Sequence, residues 1–188
     1  LYKDGEPFKM SKRSGDFISA QDLLQQVDKD SIRFMMLNRS NDVELDFDFD
    51  KIKAKTKDNP VYYVQYANAR INSIFRLLNR DSLQNKKLDL KTFNPNEYEI
   101  KILRKIFEWP KIIESALYKL EPHKIPFYLY DLSTIFHSYW SKGNEDSKFK
   151  FILDGKINRE EAIIFMILTQ IVIKNGMRIL GVSLPDKM

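Results

Sequence analysis

The chain has 188 residues, of which 31 are Lys or Arg and 26 are Asp or Glu, and it contains no cysteine. The lack of cysteine excludes a disulfide scaffold, a zinc-finger array and a cysteine nucleophile. With 43% hydrophobic and 13% aromatic residues the chain is too apolar for a disordered tail, and its length predicts one domain or one domain with an appendage.

The basic residues are unevenly distributed along the chain. Residues 1–60 hold 11 basic and 12 acidic side chains, whereas residues 61–188 hold 20 basic and 14 acidic ones. A polyanionic partner is therefore expected to bind the second part. The longest apolar run, around 162–173, is shorter than the roughly 20 residues that span a membrane, so we predict a buried helix there and no membrane association.

Helix signals begin after a glycine- and lysine-containing loop of eighteen residues. Ser19 followed by Asp22 fits a capping box, and apolar residues at helical spacing come next. A second helix is predicted from Lys29 to Leu37. Residues 44–50 alternate acidic and apolar side chains, which fits a short strand or a loop held by its apolar residues, and we favour the loop.

Proline and polar residues mark the remaining boundaries. Asn59 and Pro60 predict the start of a long helix that ends near Leu78. Residues 79–96 are predicted to form an exposed connection. Further helices are predicted at 97–108, 111–120 and 124–141, followed by a polar loop at 144–147 and a last helix from near 158 to just before Gly181. The sequence therefore predicts an all-α helical bundle without internal repeats.

The strongest local signal is a basic loop, Lys9-Met10-Ser11-Lys12-Arg13. Three cations and two hydroxyl groups, counting Ser14, suit a triphosphate, because mobile cations strengthen their contacts as charge develops on the leaving pyrophosphate. The motif resembles the KMSKS loop of class I aminoacyl-tRNA synthetases, with arginine at position 13 where that family has serine. The resemblance implies that residues 9–13 bind ATP, with Mg²⁺ accompanying the nucleotide, and that Lys9 and Lys12 are catalytic.

Several further segments resemble bacterial-type arginyl-tRNA synthetase in order and spacing. They are the basic loop, Arg33-Phe34-Met35-Met36-Leu37, Asp46-Phe47-Asp48, residues 59–70 and the ending 180–188. This resemblance implies three parts: the end of a Rossmann-type catalytic domain at 1–18, a helical junction that contacts the tRNA stem at 19–58, and a helical anticodon-binding domain at 59–188. It also implies a cytoplasmic, monomeric enzyme that acts on ATP, arginine and an arginine tRNA.

The long helix offers the first set of RNA-contact candidates. Tyr63, Tyr66 and Arg70 are three and four residues apart, so they share a helix face and offer two rings and a guanidinium group. Arg76 lies about 120° away from Arg70 on an ideal helix and must reach from the flank. The resemblance implies that all four contact tRNA. The alternative is that the tyrosines belong to the core and Arg70 extends to solvent, and burial is the favoured interpretation for Tyr62.

The end of a later helix and the end of the chain offer the second set. The resemblance implies that an aromatic residue near 136–140 and the terminal residue form a pocket for an anticodon base. Tyr139, Trp140 and Met188 are the candidates. Core packing is an equally good interpretation of Trp140, whereas a terminal methionine has no evident core role.

The sequence predicts no metal site on the protein. His123 and His137 lie on different elements with no cysteine beside them, so both are predicted to be structural or at the surface. The acids of residues 46–50 are predicted to form a solvated face. Paired-carboxylate acid–base catalysis is not expected from them.

Two functions remain open at this point. The favoured hypothesis is the C-terminal part of an arginine–tRNA ligase, inactive without the rest of the enzyme. The alternative is a non-catalytic helical module that binds RNA or protein, in which case the basic loop is a coincidence. Selective, salt-dependent retention of an arginine tRNA separates the two.

The favoured hypothesis predicts that the 188-residue chain alone does not catalyse ATP–pyrophosphate exchange, because neither histidine begins a His-x-Gly-His motif. In a full-length enzyme, Lys12→Ala is expected to lower the rate of adenylation while circular dichroism shows an unchanged fold. Exchange activity in the 188-residue chain, or an unaltered rate in the Lys12 variant, would contradict these expectations.

Overall fold

A computed structural model describes residues 2–3, 6–7, 19–43, 47–78 and 94–188. This part of the chain contains seven α-helices: α1 (Ala20–Gln26), α2 (Lys29–Leu37), α3 (Phe49–Lys53), α4 (Pro60–Leu78), α5 (Glu97–Tyr118), α6 (Lys124–Glu145) and α7 (Glu160–Leu180). Two antiparallel pairs of two-residue strands accompany them: β1 (Tyr2–Lys3) with β2 (Glu6–Pro7), and β3 (Ile152–Leu153) with β4 (Lys156–Ile157). The predicted all-α class is confirmed.

Helices α4, α5, α6 and α7 pack around the main hydrophobic core. Its largest fully buried side chains are aromatic and aliphatic residues drawn chiefly from α6 and α7. A smaller core lies beneath α2 and α3, where Phe47, Phe49 and Ile52 pack with Val27 and Ile32. Helix α2 contacts α4 and α7, so this smaller unit is attached to the bundle.

The predicted helix starts are confirmed where a capping residue was recognised. The Ser19 hydroxyl accepts from the Asp22 N–H at 3.1 Å, and the Asp22 carboxylate accepts from the Ser19 N–H at 2.9 Å, which completes the capping box of α1. At α4, Asn59 Oδ1 accepts from the Tyr62 N–H and Pro60 takes the first helical position.

Helix α5 corrects the prediction of separate helices at 97–108 and 111–120. The helix runs through Pro110 without a break. Proline removes one backbone donor and normally kinks a helix interior. Pro110 is exposed, so water can reach the freed carbonyl, while Ile102 on one side and Ala116 on the other are buried against the bundle. Packing on both sides of the proline therefore keeps the helix continuous.

Residues 47–53 correct the prediction of a loop, whereas Asp50 is exposed, as the predicted solvated face requires. Asp48 Oδ1 accepts from the backbone N–H groups of Asp50 and Lys51 and so caps α3, a five-residue helix. Phe49 and Ile52 of that helix are buried. The alternation of acids and apolar residues thus encodes a cap and a short amphipathic helix. Residues 44–46, including Asp46, lie outside the described residues.

The segment between α6 and α7 differs from the predicted polar loop at 144–147. Helix α6 continues to Glu145, and a 3₁₀ turn and the β3–β4 hairpin follow. Asp154 and Gly155 both have positive φ, which is the backbone of a type I′ hairpin turn. Their Asp-Gly dipeptide was therefore a usable hairpin signal. Gly181 ends α7 in the left-handed conformation, as predicted.

Helix α7 is the one described helix that is long and apolar enough to cross a membrane by length and composition alone. Core helices meet the same criterion. Ala162, Ile173 and Thr169 of α7 are fully buried, and the helix contacts α4, α5 and α6. Its apolar character is thus explained by packing within the bundle.

A buried polar network joins α5, α6 and the start of α7. Glu99 is fully buried, and Arg159 binds its two carboxylate oxygens at 2.9 and 3.1 Å. The hydroxyl group of Tyr139 donates to Glu99 at 2.7 Å, and the Asn96 side chain donates to that hydroxyl at 2.9 Å. Burial, followed by the hydrogen bond to Glu99, raises the pKa of Tyr139 above its usual range. Tyr139 is therefore a core residue. Its burial contradicts the expectation that its ring is available to an anticodon base.

Tyr139→Phe is expected to lower the free energy of unfolding by about 1–3 kcal/mol, because it leaves a buried carboxylate without one of its donors. Urea unfolding followed by circular dichroism measures this change. Tyr118→Phe, which alters a highly exposed tyrosine of α5, is the matched control and should change stability little. Equal stability of the two variants would contradict the role given to the network.

Candidate nucleic-acid interface

One side of α4 faces outward between two walls. At about 100° per residue, Tyr62, Tyr66 and Ser73 fall on one stripe of the helix, and all three are partly exposed. The opposite side carries Val64 and Ile71, which are fully buried in the main core. One flank of the stripe meets α6, and the other meets residues 182–188, which we call the C-terminal segment. We call the stripe and these two walls the α4 face.

The α6 wall is built from aromatic rings and one arginine. The Tyr63 ring lies 4.3 Å from the His137 ring and 5.2 Å from the Tyr130 ring, measured between centroids. Tyr66 lies 5.7 Å from both Tyr62 and His137, with its ring nearly parallel to that of Tyr62. The wall is therefore a set of packed rings, of which the tyrosines are partly exposed and His137 is buried.

Arg70 links this wall to the end of α6. Its guanidinium carbon lies 4.4 Å from the centroid of the Tyr66 ring and 5.1 Å from that of Trp140. A guanidinium group held between two aromatic faces keeps its charge and loses much of its rotational freedom. Trp140 also lines a cavity of about 240 Å³ with Gly143 and Asn144. The structure thus brings together three predicted residues: Tyr66, Arg70 and Trp140.

His137 is the buried anchor of the wall. Its Nδ1 lies 2.9 Å from Nη1 of Arg70, which can only donate, and its Nε2 lies 3.0 Å from the backbone carbonyl of Tyr63, which can only accept. The two partners fix a neutral ring protonated at Nε2. Burial, together with the charge of Arg70, lowers the pKa of His137 to about 4 although the hydrogen bond to Tyr63 acts in the opposite direction.

The second wall is the C-terminal segment, which lies along α4. Four side chains of α4 donate to it: Gln65 to the carbonyl of Ser183 at 3.0 Å, Asn68 to the carbonyl of Pro185 at 2.8 Å, Asn72 to the carboxylate of Asp186 at 2.9 Å, and Arg76 to the carbonyl of Asp186 at 3.1 Å. These four residues recur every three or four positions and form one ladder along the helix.

Gln170 of α7 orients two rungs of the ladder. Its Nε2 donates to Oδ1 of Asn68 at 3.0 Å and to Oδ1 of Asn72 at 2.9 Å. Because both asparagine oxygens accept from Gln170, both asparagine amide nitrogens must point toward the C-terminal segment. All three side chains are buried, so each amide group needs such a partner.

Met188 lies on the side of the α4 face that the C-terminal segment forms. It lines a cavity of about 330 Å³ together with Ser31, Tyr62 and Gln65. Trp140 lines a separate cavity, so the structure does not bring Trp140 and Met188 into one pocket. Half of the Met188 surface is exposed.

The other predicted site residues fall into two groups. Arg76 is exposed on the flank, as its helical position required, and it also binds the C-terminal segment. The predicted ATP-binding residues lie outside the described residues: Lys9, Met10, Ser11, Lys12 and Arg13. Among the described residues, no group of three or more His, Asp or Glu side chains is arranged to hold a metal ion.

Sequence reasoning missed His137 and the amide residues of the ladder as parts of the site. The spacing of Gln65, Asn68 and Asn72 on one helix face was a signal, since polar residues repeated at helical spacing indicate a shared partner. No pattern in the sequence identified residues 183–186 as that partner, because the two segments are more than one hundred positions apart.

Comparisons with known proteins agree on one family. Residues 64–188 match the family described as the DALR anticodon binding domain. The chain is 54% identical over 188 residues to an arginine–tRNA ligase of Pelagibacter ubique and 42% identical over 193 residues to one of Ruegeria pomeroyi. Each match covers 100% of this chain and 33% of the relative, so the chain spans about a third of the length of these relatives.

Solved structures show the same fold. A Campylobacter jejuni structure named for an arginyl-tRNA synthetase superposes with a TM-score of 0.77 at 28% identity, over 99% of this chain and 38% of that one. The Thermus thermophilus arginyl-tRNA synthetase superposes with a TM-score of 0.64 at 21% identity, over 94% of this chain and 29% of that one, a likeness that bears on the fold alone.

The buried, neutral His137 predicts a loss of stability in mild acid. Its pKa is lower in the folded chain than the value near 6.5 of an unfolded one, so the unfolded state binds more protons between about pH 6.5 and 4. Stability is complete above that window and is lost as the pH falls through it, by about 2 kcal/mol between pH 7 and pH 5.

Urea unfolding of the wild-type chain and of His137→Gln at both pH values measures this contribution. The variant should lack the loss of about 2 kcal/mol, because it has no titrating ring. Ser138→Ala, at the exposed position next to His137, is the control and should keep the wild-type pH dependence. An identical pH dependence in the wild-type chain and His137→Gln would contradict the assignment.

Proposed function

We propose that this chain, which belongs to the DALR anticodon binding domain family, is the C-terminal region of an arginine–tRNA ligase and binds the anticodon arm of an arginine tRNA. The observation that carries the proposal is the α4 face. There, the partly exposed rings of Tyr62 and Tyr66 lie between the Arg70–Trp140 pair and the C-terminal segment. Family membership implies tRNA binding, and the identity of the relatives favours an arginine tRNA.

The chemistry of the α4 face suits an unpaired RNA loop. Bases in a single-stranded loop can unstack and lie against aromatic rings, whereas paired bases cannot leave the helix at low cost. Tyr66 and Trp140 offer such rings, and Arg70 and Arg76 offer charge to the phosphates nearby. The half-exposed Met188 adds a polarisable thioether at the other wall.

The remaining parts of the proposal concern the whole enzyme. We infer that residues 1–18 end the catalytic domain, that residues 19–58 contact the tRNA stem and that residues 59–188 bind the anticodon arm. Lys9 and Lys12 would stabilise the phosphates of ATP, with Mg²⁺ bound to the nucleotide, while arginine is activated. The basic loop Lys9-Met10-Ser11-Lys12-Arg13 supports this part through its sequence alone. We further propose a cytoplasmic, monomeric ligase.

Binding of an arginine tRNA and of an unrelated tRNA to the 188-residue chain, followed by fluorescence anisotropy at several salt concentrations, tests the proposal. We expect tighter binding of the arginine tRNA, together with an affinity that falls as salt rises. Equal affinity for both tRNAs, or no binding at low salt, would contradict it.

Substitutions on the α4 face locate the contact. Tyr66→Ala and Trp140→Ala are each expected to weaken binding of the arginine tRNA roughly tenfold, because stacking on one ring contributes about 1–3 kcal/mol per base. Tyr118→Ala removes an exposed ring on α5, away from the α4 face, and should leave the affinity unchanged. Loss of affinity in the Tyr118 variant alone would place the contact elsewhere.

A further inference from the structure

We propose that Gln65, Asn68 and Asn72, of which the two asparagines are held by Gln170, are positioning residues that fix the C-terminal segment so that Met188 can contact RNA. This inference rests on the proposed function and deepens it, because it assigns a role to residues that do not themselves touch RNA. The juxtaposition that carries it is the set of three amide groups in the ladder on α4. Each of them is paired with a different oxygen atom of residues 183–186.

The C-terminal segment has little hydrophobic burial to hold it. Val182 is buried, but the residues that follow it are only half-buried or exposed. A terminal segment without buried side chains usually frays, since the entropy of the free chain exceeds the contacts available to it. Hydrogen bonds from α4 and one from the Ser183 hydroxyl to Asp30, together with the packing of Leu184 against the main core, therefore determine the path of this segment.

The ladder also sets the register of the segment. Each amide rung pairs with one particular oxygen atom, so sliding the segment by one residue breaks every pair at once. The asparagine amides cannot turn to follow such a slide, because Gln170 occupies their oxygen atoms. Met188 follows Asp186 by two residues. When Asp186 is fixed, the Cα atom of Met188 therefore lies within about 7 Å of the Cα atom of Asp186.

The same helix carries the opposite wall. Tyr66 and Arg70 lie on α4 beside α6, while Asn68 and Asn72 lie on α4 beside the C-terminal segment. The distance from Met188 to the aromatic wall is thereby set through a single rigid helix. Loss of the ladder would release Met188 from this relation and leave the rings in place.

A double-mutant cycle separates positioning from general stabilisation. Asn72→Leu keeps the approximate shape of the side chain and removes its donor, and deletion of residues 187–188 removes the element that the ladder is proposed to position. Affinity for an arginine tRNA is measured by fluorescence anisotropy with the wild-type chain, each single variant and the double variant, all in the full chain context.

Each single variant is expected to bind about tenfold more weakly than the wild type. For Asn72→Leu, this is the size of effect that loss of one hydrogen bond to a charged group produces, and the deletion removes the Met188 contact itself. The double variant should bind no more weakly than the deletion alone, because Asn72 acts through Met188. Asn175→Leu, an exposed asparagine on α7, is the matched control and should keep wild-type affinity.

Exchange of the other partner gives a second arm. Asp186→Asn retains an oxygen atom that can accept from Asn72 and should keep wild-type affinity, whereas Asp186→Leu should match Asn72→Leu. A tenfold loss by Asn72→Leu in the deletion background as well, or no loss in either background, would overturn the positioning role. If the wild-type chain does not distinguish the arginine tRNA from an unrelated tRNA, the proposed function is wrong, and the positioning role that rests on it is wrong as well.

Discussion

Helix α4 is held on three sides, and both walls of the α4 face depend on that restraint. Its apolar side places Val64, Ala67 and Ile71 in the main core with no exposed surface. Burial of Val64 and Ile71 contributes about 1.5–3 kcal/mol for each side chain, so the rotation of α4 about its axis is strongly fixed. With that rotation fixed, the aromatic residues on one flank and the amide residues on the other have only one direction in which to project.

The polar groups beside α4 follow from this arrangement. A buried amide or imidazole group is costly unless it is hydrogen-bonded, and α4 meets that requirement on both flanks. His137 accepts from Arg70 and donates to the Tyr63 carbonyl, and Gln170 bridges Asn68 and Asn72. Both flanks therefore combine stability with orientation: the same hydrogen bonds that satisfy buried groups also hold Arg70 and the C-terminal segment in place.

Local features of the fold were predictable where a single residue carries the physical reason. Ser19 and Pro60 start helices because of their own side chains, and Gly181 ends one because it accepts a positive φ. Pro110 misled the prediction, because the burial of residues on both sides of it is a tertiary effect that the local sequence does not contain. The Asp154-Gly155 dipeptide is likewise a local signal, because both residues adopt the positive φ of a tight hairpin turn.

The candidate site was predictable only in part for the same reason. Helical spacing correctly placed Tyr63, Tyr66 and Arg70 together. Periodicity did not distinguish Tyr139, which is a core residue, from its neighbour Trp140, which reaches Arg70. The pairing of α4 with the C-terminal segment joins residues more than one hundred positions apart, and no local pattern identifies such a partner.

Hydroxyl-radical footprinting tests directly whether the α4 face binds RNA. The 188-residue chain is footprinted with and without an RNA hairpin that corresponds to the anticodon arm of an arginine tRNA. Methionine and aromatic side chains report directly on their own exposure in this measurement. If the α4 face binds RNA, the hairpin protects Tyr66, Trp140 and Met188 together, while the exposed Phe107 and Tyr118 of α5 react as they do in the free chain. Protection of the α5 residues with no change on the α4 face would contradict it.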